Sequence, residues 1–162
     1  MYLNTWTVQN IVFEIIANYM LSNEPKEVGF NFSQKFQRDK VKSDIFLDIA
    51  YHWDDQIVQK RPAIFIQRGD QNLNYPTMGQ NITRTTAESE QGKFSLNELP
   101  INILCIATNV GFTEQLAEYV KQPLLSFREI IQHDFNFRRF RLTSVSKPQK
   151  YVESKEHFVV TL

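Results

Sequence analysis

At 162 residues, 42% of them hydrophobic and 13% aromatic, the chain is long enough to bury one good core and is the size of a single domain. Lysine plus arginine and aspartate plus glutamate number 18 each, so no global field draws the molecule to nucleic acid or to an anionic membrane. The single cysteine, Cys105, excludes an intrachain disulfide and favours a reducing compartment, and no apolar run approaches the roughly 20 residues of a membrane span.

Met1-Tyr2-Leu3-Asn4-Thr5-Trp6 has no basic flank leading into an apolar stretch and a small-residue cleavage site, so the expectation is a soluble protein made in the cytoplasm. From Thr5 to Leu21, Val8, Ile11, Val12, Ile15, Ile16, Tyr19 and Met20 recur at three and four, which predicts an amphipathic helix capped by Asn4 or Thr5. Pro25 stops it. Phe30, Phe32 and Phe36 then follow no single period, and this stretch to Lys42 reads as loop with a short strand at most. Ile45, Leu47, Ile49 and Tyr51 alternate with Phe46, Asp48 and Ala50, predicting a strand that ends near Asp54-Asp55.

Arg61-Pro62 introduces a second strand, Ala63 to Arg68, ended by Gly69-Asp70, and residues 71–77 read as an Asn-rich loop. A further apolar strand spans Leu99 to Ala107. About thirty polar, glycine-poor residues separate these two strongly β-forming runs and cannot offset the cost of burial, which predicts a ribbon over about residues 77–97 projecting from the domain. Glu90-Gln91-Gly92-Lys93 supplies its turn, and Pro100 marks a bulge or an edge on the return arm. Phe112, Leu116, Tyr119, Val120, Leu124, Phe127, Ile130 and Ile131 keep one stripe across Pro123, predicting a single kinked helix from about Thr113 to His133. Phe137 to Val145 and His157 to Leu162 read as closing strands joined around Lys147-Pro148. This order predicts an α+β fold: a mainly antiparallel sheet, helices packed on one face and a projecting β-ribbon.

No catalytic motif stands out. His52, His133 and His157 lack a second ligand at metal-binding spacing, and five glycines leave little material for a phosphate loop or nucleophile elbow. Neither a metal nor a cofactor is expected. Asp54-Asp55 and Glu88 with Glu90 are the nearest approach to paired carboxylates, but each sits in a predicted turn or solvated ribbon where nothing would split their pKa values. An apolar strand around Cys105 raises a thiol pKa rather than lowering it, so a buried thiol is expected and not a nucleophile. Asn31-Phe32-Ser33 and Asn81-Ile82-Thr83 match the glycosylation pattern without an export signal, and Arg68-Gly69-Asp70 is explained by the end of a strand. Arg138, Arg139 and Arg141 interleave with Phe137 and Phe140 as a nucleic-acid surface would, against the simpler expectation of a solvated strand face. An enzyme is not expected.

The strand from Pro62 to Arg68, the polar ribbon, the strand Leu99 to Ala107, the helix Phe112 to His133 and the two closing strands together resemble the tail terminator proteins of tailed bacteriophages. The resemblance covers roughly Ile45 to Leu162 and is one of element order and hydrophobic pattern. The region before Ile45 and the proline inside the main helix depart from the family. The resemblance implies a virion structural protein, made in the host cytoplasm, that forms a homo-hexameric ring on the head-proximal end of the tail tube. Its partners would be the tail tube protein and neck or connector proteins, with no membrane. Genomic DNA would pass through without specific binding, which zero net charge suits. Candidate subunit contacts are Thr83, Thr85, Glu88, Phe94 and Ser95 on the ribbon, since an open strand edge invites strand addition from a neighbour. Arg139 and Arg141 are the candidate DNA-facing residues. Another connector or head-completion protein shares the pattern, and a small cytoplasmic binding module or enzyme is the alternative of a different class.

Overall fold

The computed structural model describes residues 5–49, 61–70, 72–74, 96–135, 137, 139–154 and 156–162. Among these, three helices pack with a five-stranded mixed sheet and a separate two-stranded ladder: α1 (Thr5–Ser22), β1 (Phe46–Asp48), β2 (Ala63–Arg68), β3 (Asn72–Asn74), β4 (Leu96–Glu98), β5 (Ile101–Ala107), α2 (Val110–Ser126), α3 (Arg128–Asp134), β6 (Gln149–Lys150) and β7 (Phe158–Thr161). The main sheet runs β1-β2-β5-β7-β6. Its β1–β2 pair is parallel and the other three pairs are antiparallel, so the expected α+β class holds while the sheet is mixed.

The register is set by where apolar residues can be buried. Six pairs join β2 to β5, from Ala63 opposite Ile106 to Arg68 opposite Ile101. Ile64, Ile66, Ile103, Cys105, Val160 and Leu162 point to one face, where Val12, Ile16, Ala17 and Met20 of α1 and Leu116, Ala117, Val120 and Leu124 of α2 cover them. Ala63, Phe65, Ile106 and Val159 point to the other face and are buried with Phe46, Leu104 and Tyr151 packed beside them. An uninterrupted run such as Ala63-Ile64-Phe65-Ile66 is what a central strand buried on both faces requires.

The stretch between α1 and β1 contributes to the core without forming a strand. Phe32 meets Phe112 edge-on at 5.1 Å between ring centroids, and Phe30 and Phe32 both contact Tyr119. The Tyr119 hydroxyl donates to the Asn23 carbonyl oxygen, and that of Tyr19 donates to Gln122 Oε1 at 2.6 Å. Burial pushes the Tyr119 hydroxyl well above its usual pKa, so it remains a donor. Arg61 donates to the carbonyl oxygens of Lys40 (2.7 Å) and Ser43 (2.8 Å) and lies over the Phe46 ring, pinning the loop before β1 to the start of β2.

Five expectations are corrected. Residues 72–74, read as loop, form β3, and β5 begins at Ile101 rather than Leu99 because Pro100 has no N–H to donate to a ladder. The single kinked helix is two helices separated by Phe127, whose φ of −97° and ψ of 11° leave the helical region. Pro123 cannot donate to the Tyr119 carbonyl, yet Phe127 N–H donates to Pro123 O and Ile131 N–H to Phe127 O, so the axis continues past the break. The stripe does not persist: Phe127 is 42% and Ile130 54% exposed, while Leu124 and Ile131 are buried. Finally, Phe137 to Val145 is no ladder strand. Its pairing with β7 begins only where Ser146 N–H donates to Thr161 O, and β6 is two residues long.

Replacing Ile64, fully buried between α1, α2 and the sheet, with alanine is expected to cost about 2–5 kcal/mol, against under about 0.5 kcal/mol for Ile130→Ala. Urea midpoints with an unchanged slope measure both. Tyr119→Phe leaves the Asn23 carbonyl without its donor and is expected to cost about 1 kcal/mol by the same measurement.

Candidate functional site

The features that reach beyond the core gather at one end of the sheet. There β2 ends, β5 begins, and Leu162 closes β7 by exchanging main-chain bonds with Ile103 at 2.9 and 3.1 Å. From this end the chain leaves into β3 and returns through β4, paired Asn72 to Glu98, Leu73 to Asn97 and Asn74 to Leu96. Of the ribbon expected over about residues 77–97 only residues 96 and 97 are described; the rest lie outside the described residues. The corner is set by Gly69, whose N–H donates to Pro100 O at 2.9 Å and whose Cα faces the proline so closely that a Cβ would sit 3.1 Å from the Pro100 ring. A side chain at residue 69 would require the Pro100 ring to give by a few tenths of an ångström. Arg68-Gly69-Asp70 is therefore a strand end with a packing role for its glycine.

Into the same end runs a second extended element. Gln149 opposite Val159 and Ser146 opposite Thr161 fix the direction of β6, so residues before Ser146 lie beyond the C-terminal end of β7. Residues 139–143 alternate: Arg139, Arg141 and Thr143 are exposed, and Phe140 and Leu142 are half-buried against the main core, whereas Ser144 and Val145 are both exposed. This is the alternation expected of a solvated strand face, but among the described residues the main chain of 139–145 makes no backbone hydrogen bond. Neither Arg139 nor Arg141 has an ion-pair partner there. Phe140 packs inward and stacks with Phe137 at 6.3 Å, and Phe135 lies 6.2 Å from Phe137, so these rings are spent on one another rather than offered to bases.

The sheet edges themselves are small. β1 has three residues and β6 two, which blunts both as templates for strand addition. The loop before β1 carries Arg38 bonded to Glu14 at 2.8 and 3.3 Å and Lys40 bonded to Asp48 at 2.6 Å; the Arg38 hydrogen bond holds the Glu14 carboxyl below its usual pKa. A hollow of about 70 Å³ lined by Phe13, Phe36, Ser43 and Leu47 lies beside this loop, enough for about two waters and far below a cofactor pocket.

The described residues hold no group of three side chains able to bind a metal, and no helix among them is long and apolar enough to cross a membrane. His133 is exposed beside Asp134, and His157 is buried with Nδ1 2.6 Å from Ser154 Oγ, so the structure does not bring these two histidines together. The Ser154–His157 contact was not legible in the sequence. Its surroundings are those of a hairpin turn, with Tyr151 N–H donating to His157 O and His157 N–H to Ser154 O. His52, Asp54, Asp55, Thr83, Thr85, Glu88, Glu90, Phe94, Ser95 and Arg138 lie outside the described residues.

Cys105 is fully buried in β5, and burial pushes its thiol far above the usual cysteine range. The native thiol is expected to resist maleimide through pH 9 and to react at the rate of a free thiol only after unfolding. Cys105→Ser is expected to cost about 1–3 kcal/mol, read from denaturant midpoints. Comparisons with protein-family models, curated proteins and solved structures find no match to this chain, so its function is read from this geometry and from the sequence pattern.

Proposed function

We propose that the chain is a structural subunit of a bacteriophage virion, a tail terminator that closes into a homo-hexameric ring on the head-proximal end of the tail tube and joins it to the neck. The observation that supports this best is the presence of two unlike elements at one end of the sheet: the β3–β4 ladder, and an arm whose main chain is unpaired among the described residues. Ring closure needs two different, mutually complementary surfaces on each subunit, because a head-to-tail contact repeats until rotation brings the last copy to the first. Main-chain hydrogen bonds between extended segments supply such a contact without an exposed apolar patch.

Charge supports the same reading. A chain with 18 acidic and 18 basic residues does not repel its own copies, and a ring without net positive charge lets DNA pass instead of retaining it through counterion release. Ring formation is tested by sedimentation and negative-stain imaging of the 19.1-kDa chain alone and with tail tube ends. The expected outcome is a six-membered ring that caps tubes and stops their growth. A chain that stays monomeric with tube ends, together with normal tail length in particles lacking it, would overturn the proposal, and a ring that binds the neck but not the tube would make it a connector.

A further inference from the structure

We infer that the arm of residues 139–145 is a docking strand for a different protein, and that its occupant is an extended acidic segment in which two carboxylates flank an apolar residue. The inference goes beyond the ring reading and does not depend on it, since the arm can hold such a segment in a free subunit or in a ring.

The arm has what a docking strand needs. Among the described residues its main chain neither gives nor accepts a hydrogen bond, so its N–H and C=O groups are both available to an added strand. Phe140 and Leu142 pack against the main core and hold it from behind. It is thus fixed in place without being paired. Arg139 and Arg141 are exposed on its other side, and neither guanidinium has an ion-pair partner among the described residues. Arg38 with Lys40 and Lys40 with Lys42 have the same spacing, but Glu14, Asp48 and Asp39 already engage them.

These features specify the occupant. Side chains two residues apart on a strand share one face, so a strand laid beside the arm sets its own i and i+2 residues next to Arg139 and Arg141, where opposite charges attract. The residue between them falls on the side of Phe140, which is half-buried against the core, and an apolar side chain suits that position. Among the described residues no two carboxylates stand one residue apart, so the complement is assigned to another protein. Nucleic acid is the less suited occupant. Its phosphates only accept hydrogen bonds and would leave the carbonyl oxygens of the arm unpaired, and Phe140 faces the core while Phe137 stacks on it, which leaves no platform for a base.

The probe is a fluorescein-labelled peptide, Thr-Val-Glu-Val-Glu-Val-Thr, titrated with the full chain and followed by anisotropy. Saturable binding is expected, weakened by salt and reduced about tenfold in Arg139→Glu/Arg141→Glu, which is expected in turn to prefer the same peptide with lysine in place of glutamate. The thermal transition of the variant checks its fold, with Arg139→Gln/Arg141→Gln as the milder replacement if that transition is lowered. Only alternate N–H groups of a strand point toward one neighbour, so N-methylation at the glutamates or at the valines is expected to abolish binding in one phase and spare it in the other. Equal loss in both phases, loss in neither, or no binding of the acidic peptide to the wild-type chain would overturn the inference and leave the ring reading standing. Displacement of the peptide by a more tightly bound oligothymidylate would assign the arm to nucleic acid. Reversal that breaks association between copies without changing peptide binding would assign it to the contact between subunits, and either result overturns the inference.

Discussion

The six-pair ladder between β2 and β5 is the constraint on which the rest of the molecule depends. Both strands are apolar on both faces, so neither can be left at an edge or slipped by one residue without exchanging two buried sets of side chains. Once that register is set, the ends of the two strands direct the course of the chain. The far end of β5 delivers it to Asn109, whose side chain accepts from Phe112 N–H and starts α2 above the sheet. At the near end Gly69 and Pro100 stand close together, where β2 leads on to β3 and β4 leads into β5. One ladder thus positions both the helix that buries the core and the short β3–β4 ladder that follows its other end.

The aromatic cluster around Tyr119 ties the N-terminal region to this framework. The stretch after α1 carries its phenylalanines at irregular intervals because they do not line a strand or a helix face; they converge from a loop onto one side chain of α2. Tyr119 satisfies its hydroxyl on the Asn23 carbonyl at the end of α1, so α1, the loop and α2 are joined by a buried polar contact as well as by apolar area. The N-terminal region is therefore part of the core and not an appendage to it.

Function, on this reading, lies where the sheet is left incomplete. A protein of this size buries enough apolar surface to be stable without using every main-chain group, and among the described residues the main chain of 139–145 is left unpaired. Extended segments with exposed main chain are liabilities in a monomer, because they pair with whatever strand they meet. In an assembly they are contact surfaces, provided that side chains restrict the choice of partner.

The sequence by itself determined the elements whose pattern is local. The helix from Thr5, the strands around Ala63–Arg68, Ile101–Ala107 and Phe158–Thr161, the burial of Cys105 and the α+β class are all consequences of apolar periodicity, and each is found within a few residues of where that periodicity puts it. Tertiary structure decided the rest, because the competing choices are equivalent locally. Phe127 and Ile130 fit the same helical stripe as Leu124 and Ile131, and only the direction of the chain after Phe127 turns the first two to solvent. Residues 139–143 have the alternation of a ladder strand, which ends where Ser144 and Val145 are both exposed. A strand, however, also needs a neighbour at hydrogen-bonding distance, and among the described residues the main chain of 139–145 has none. Periodicity specifies which side of a segment is apolar; whether its main chain is paired depends on what other segment lies beside it.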